Sequence, residues 1–165
     1  MTRNEQNIFL SKEYFEAIRY MDNAKETLSR AGKEDNGYYK DKKYVKSACG
    51  IAYLGVLYAL DAWFALKEIP EPPKKRQKSI EYYMSNIARI DKKLVSDMDT
   101  AYGILHLEGY YRGMSNVKII NNGFELAYKI IDKVKPESPV EVKESKIGAA
   151  KRILHSLVIS VSVLF

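Results

Sequence analysis

YVKSACGIAYLGVLYALDAWFAL, residues 44 to 66, is apolar almost all the way round when wound as a helix. A helix carries such a surface when other helices surround it, so this segment predicts the centre of an all-helical bundle. Within it Ala48, Ala52, Gly55, Ala59 and Ala62 follow one another at spacings of four, three, four and three. Helical geometry lines these small side chains down one face, where a neighbouring backbone can come close. Gly50 and Gly55 each cost about 1 kcal/mol against alanine in a helix interior, so Gly55 at least is expected at a close helix contact. The opposite side carries the bulk: Tyr53, Val56, Trp63 and Phe64. Residues 47 to 66 hold one charge, Asp61, and reach the length of a membrane span, but they lack the flanks and aromatic belts of one. The expectation is a buried core helix and no membrane.

On either side of this segment the apolar spacing of three and four recurs. Residues 11 to 31 predict a first helix, with Ser11 as its N-cap, Tyr14, Ile18, Met21, Ala24, Leu28 and Ala31 inward, and Gly32 as its stop. Residues 33 to 43, KEDNGYYKDKK, read as a loop around Asn36-Gly37. Pro70, Pro72 and Pro73 end the second helix, and Lys74, Lys75, Arg76 and Lys78 follow in a run that is either a solvated linker or an anion patch. A third helix starts at Ser79 and a fourth near Asp91, separate or as one bent helix. Gly109 and Gly113 kink or end the fourth. A fifth spans about Ser115 to Val134, with Val117, Ile120, Phe124, Ala127, Tyr128, Ile131 and Val134 inward. The fold expected is an up-and-down antiparallel bundle of four to five helices over residues 1 to 135. Residues 136 to 165 form a linker and an apolar segment, Ile153 to Phe165, expected to pack on the bundle or on a second subunit.

The chain has 165 residues, enough for one sizeable core. Its 27 Lys and Arg exceed its 21 Asp and Glu, but the signs are interleaved, as on a solvated surface; a nucleic-acid binder usually concentrates its cations. The interleaving argues against nucleic acid as a partner. One cysteine, Cys49, permits no internal disulfide, and the first residues show no signal-peptide pattern, so a cytoplasmic protein is expected. The chain holds no His-Glu-x-x-His or Glu-x-x-His spacing and no phosphate-cradling glycine loop, so no metal ligands and no cofactor are assigned.

Two places could carry chemistry. In AYGILHLEGYYRG, residues 101 to 113, Tyr102, His106 and Tyr110 are i, i+4 neighbours on one helix face, with Tyr111 and Arg112 beside them. Such a ladder offers donors, acceptors and stacking surface to a small molecule or nucleotide; equally, it is how tyrosines bury their rings at a bundle rim. Asp61 is the second: a lone carboxylate in an apolar run needs a partner, either structural (Tyr58, a lysine, water) or His106 as an acid–base pair.

The text YYKDKKYVKSACGIAYLGVLYALDAWF, followed by AYGILHLEGYYRG and GFELAYKIID, resembles the HEPN-like superfamily of bacterial helical bundles over about residues 10 to 134. The likeness lies in the tyrosine-rich entry to an alanine-rich second helix and in the Tyr-Tyr pair before the last bundle helix, and it is greatest to an uncharacterised bacterial branch. It implies a bundle of four or five helices, often homodimeric, and a role as ribonuclease toxin or as partner of a small nucleotidyltransferase. Catalytic members carry an arginine followed, after about four to six residues, by a histidine. Here Arg89 stands too far before His106, no histidine follows Arg112 within reach, and Arg152 lies only three positions from His155. The resemblance thus implies a non-catalytic interaction module that forms a homo-oligomer. The alternative is a degenerate nucleotide-binding or nucleic-acid-processing protein using Tyr102, His106, Tyr110 and Arg112.

Overall fold

The computed structural model describes residues 1–72 and 78–136. Five α-helices follow in order: α1 (Arg3–Ser29), α2 (Lys42–Leu66), α3 (Ile80–Ile90), α4 (Lys92–Ala101) and α5 (Val117–Ile131). Without a break, α4 continues as a π-helical segment, Tyr102–Arg112, and α5 tightens into a 3-10 turn, Asp132–Val134. Among the described residues there is no strand, only two isolated bridges: Lys33 to Tyr39 within the α1–α2 loop, and Tyr38 to Asn116, which ties that loop to the start of α5. The fold is an all-α bundle. Lys74, Lys75 and Arg76, and the segment Ile153 to Phe165, lie outside the described residues.

α2 is the axis. Ala48, Ala52, Val56, Ala59 and Leu60 are all at most 1% exposed. The small-residue stripe is the seam with antiparallel α1: a Cβ added at Gly55 would stand 2.9 Å from Tyr20 Cβ and 3.4 Å from the Ala17 carbonyl oxygen. Bulk at that seam would push the two backbones apart, which is why small residues recur there. By length and composition α2 could cross a membrane, yet 56% of its most apolar window is buried inside the bundle.

α1 begins eight residues earlier than its apolar spacing suggests. Thr2, not Ser11, is the N-cap, in a capping box with Glu5: the Thr2 amide donates to Glu5 Oε2 at 2.7 Å and the Glu5 amide to Thr2 Oγ1 at 3.3 Å. Ser11 is fully buried and donates to the Asn7 carbonyl. α3 and α4 are separate helices, because Asp91 leaves helical geometry (φ −147°, ψ 91°) and caps α4 with its side chain. The π segment stops at Gly113, whose φ of 73° favours a residue without a Cβ.

Candidate aromatic docking face

The π segment lies against α2 through a contact only glycine permits. A Cβ at Gly109 would stand 2.5 Å from Cys49 Sγ and 2.8 Å from Cys49 Cβ. On its other flank Gly123 of α5 gives way to Ile104, whose Cγ2 would meet a Cβ there at 2.6 Å. Held between the two helices, the segment turns Tyr102, His106, Tyr110 and Tyr111 to one side. The rings form a ladder: Tyr102 to His106 at 5.2 Å and His106 to Tyr110 at 6.0 Å, both stacked, with Tyr111 edge-on to His106 at 5.2 Å. Tyr53 of α2 closes it, 4.8 Å from His106 and 5.8 Å from Tyr102. π-Helical turns often mark functional sites, and here the wider winding brings Tyr111 as well as Tyr110 to the same histidine.

Between this ladder and α1 the outer face of α2 is open. A cleft of about 490 Å³ runs over Gly50, Ile51, Leu54 and Leu57, with Ser47 at one end and Tyr53, His106 and Tyr110 as its wall. Gly50 keeps its floor open; a Cβ there would stand 3.1 Å from the Tyr110 ring. At its far end the Tyr58 hydroxyl is hydrogen-bonded to the Glu13 carboxylate of α1, which with burial pushes that phenol up to about 12. Leu54 (54% exposed), Leu107 (37%), Tyr110 (45%) and Tyr111 (65%) present apolar surface around the cleft. Burial lowers the His106 pKa from its ordinary 6.5, so the imidazole is neutral at pH 7, and burial pushes the Tyr53 phenol up. The face is uncharged as well as apolar.

Asp61 and Arg112 do not belong to it. The Asp61 carboxylate accepts from the Tyr83 hydroxyl at 3.0 Å and pairs with Lys78 at 3.1 Å, and Lys78 also reaches Glu71 at 3.1 Å. Asp61 is therefore the structural anchor of α3 and of the preceding loop, not an acid–base partner for His106. Arg112 pairs with Glu108 one helical turn back, its side chain 72% exposed. The carboxylate, imidazole and guanidinium thus do not converge, and the described residues contain no group of three or more metal-binding side chains. Sequence reasoning missed Tyr53, Ile51, Leu54 and Leu57. Their signal was in plain view: α2 is apolar all round, and one of its faces has no small-residue seam to close it.

A family model described as Domain of unknown function (DUF5618) matches residues 12–136. Among solved structures the chain is similar to a protein of unknown function from Dyadobacter fermentans, at 38% identity and a TM-score of 0.63, over 81% of this chain and 96% of that one. No curated protein matches it.

Proposed function

We propose that the chain, which belongs to the DUF5618 family, is a non-catalytic helical interaction module that binds a second copy of itself through the aromatic face. The observation that carries this reading is the uncovered stretch of α2, with Leu54, Tyr110 and Tyr111 exposed around an apolar cleft. Contiguous apolar surface of this kind marks interaction sites, and tyrosines are favoured anchors in them. A face without charges can meet its own copy across a two-fold axis, since an isologous contact juxtaposes like with like and an uncharged patch pays no repulsion. The small-residue stripe is spent on the α1–α2 seam and is not available for this contact.

On this reading the chain is a HEPN-like bundle without the nuclease pair, and its buried, unpaired cysteine suits the reducing cytoplasm. Nucleotide binding is the weaker reading, because no cation lines the cleft to meet a phosphate. Sedimentation of the full chain over a range of concentrations tests the proposal. Concentration-dependent self-association is expected, weakened about tenfold or more in Leu54→Asp and in Tyr111→Asp while circular dichroism stays unchanged. Wild type and both variants sedimenting alike at every concentration would rule it out.

A further inference from the structure

We propose that the apolar segment Ile153 to Phe165 of the same chain seats in the α2 cleft and competes there with the second copy. The contact rests on the cleft itself; its regulatory consequence rests on the self-association proposed above.

Three observations point to this occupant. The first is pattern. Nine of the thirteen residues from 153 to 165 are Ile, Leu, Val or Phe, and at helical spacing Leu154, Leu157, Val158, Val161 and Phe165 fall on one side. That i, i+3, i+4, i+7 arrangement is how a helix anchors in a groove. Thirteen residues at helical rise span about 20 Å, and the cleft floor from Ser47 to Leu57 spans about 15 Å on the same rise.

The second is reach. The described residues end at Pro136, just past Val134, which is fully buried. That end lies beside α1, where the Tyr14 hydroxyl meets Asp132 Oδ1 at 3.4 Å. The neighbouring α1 residue, Glu13, is bonded to Tyr58 at the Leu57 end of the cleft. That end and the cleft are thus on two sides of one helix, a body about 10 to 12 Å across. Residues 137 to 152 extend to about 50 Å and average about 22 Å as a flexible tether, so they cover that path with slack.

The third is charge. Lys151 and Arg152 precede the apolar run and would arrive at the end where Glu13 stands, leaving the uncharged remainder to lie antiparallel to α2 toward Ser47. A tethered segment also holds an advantage over any free partner, since a short linker sets a local concentration in the millimolar range.

Paramagnetic labelling of the full chain tests this. Cys49 is fully buried and burial pushes its thiol up to about 12, so a nitroxide reagent attaches at a cysteine placed by Ser160→Cys, on the polar side of the segment. The methyl signals of Ile51, Leu54 and Leu57 should broaden strongly, those of Ile8 and Ile119 should not, and diluting the labelled chain with unlabelled chain at constant total concentration should leave the pattern unchanged. Val158→Asp should abolish the broadening while the helical circular dichroism stays unchanged. It should also tighten self-association by at least about tenfold if the segment fills the cleft nine-tenths of the time. Broadening centred on Ile8, about two helical turns before the exposed Phe15 of α1, would place the segment elsewhere and overturn the proposal. So would broadening seen only between differently labelled chains, no broadening at all, or association unmoved by Val158→Asp. The Leu54→Asp and Tyr111→Asp sedimentation result belongs to self-association and can fail while the intrachain broadening stands.

Discussion

Two glycines five residues apart separate different costs on one helix. Gly55 faces Tyr20 Cβ and the Ala17 carbonyl, atoms that move only if α1 moves, whereas Gly50 faces the ring of Tyr110, nearly half exposed and free to swing. Gly55→Leu should therefore destabilise the protein by about 1 to 3 kcal/mol or more, and Gly50→Leu by less, as read from urea midpoints. Equal midpoints would refute the seam. His106 sets a pH dependence. Because burial lowers its folded pKa below the ordinary 6.5, an unfolded chain takes up this proton first as pH falls. Stability is thus unaffected above about pH 6.5 and declines as pH falls from there toward the folded pKa. His106→Phe keeps a ring in the ladder and removes the proton, so the melting temperature of wild type should fall relative to this variant between about pH 7 and 5. Parallel curves would show that the imidazole is not desolvated.

Among the helices, the break between α3 and α4 hangs on one side chain. Asp91 Oδ1 accepts from the amides of Lys93 and Leu94 at 3.1 and 3.3 Å, and Oδ2 holds Lys133 Nζ at 2.7 Å, fastening the start of α4 to the 3-10 turn that follows α5. Asparagine preserves the cap and loses only the ion pair, so Asp91→Ala should lower the melting temperature by a few degrees and Asp91→Asn by less. The reverse order would assign the effect to Lys133. Asp91 and Ser79 were legible as helix starts because each is a good cap ahead of an apolar repeat. Thr2 was not, since Asn4 to Asn7 carry no apolar period, although Thr-x-x-Glu is itself a start signal. The π winding was illegible for a different reason. A spacing of four reads as a shared face in either helix type, and what widens this one is tertiary: Gly109 pressed on Cys49 and Gly123 under Ile104, contacts that no local pattern records.

For the molecule as a whole, the central position of α2 predicts that the bundle unfolds as a unit. Its stripe is covered by α1, its Cys49 side by the π segment, and Val134 at the end of the 3-10 turn after α5 is fully buried, so removing any one neighbour uncovers apolar surface that the others cannot close. α3 is short and is the best candidate for independent release, yet it is bound to the same axis. Tyr83, 4% exposed, donates its hydroxyl to Asp61 of α2 and stacks on Phe64 at 5.9 Å, next to Trp63. Trp63 is the single tryptophan of the chain and is 7% exposed, so its fluorescence reports on precisely the junction where α3 would detach. Urea unfolding followed by Trp63 emission and by helical circular dichroism should give one coincident transition, with a slope of about 1 to 3 kcal/mol per molar urea for a domain of this size. Tyr83→Phe removes the bond to Asp61 but keeps the ring, and should shift both probes together to lower urea. A fluorescence midpoint that precedes the dichroism midpoint, in wild type or in Tyr83→Phe, would show that α3 leaves first and that α2 does not hold the bundle as one cooperative body.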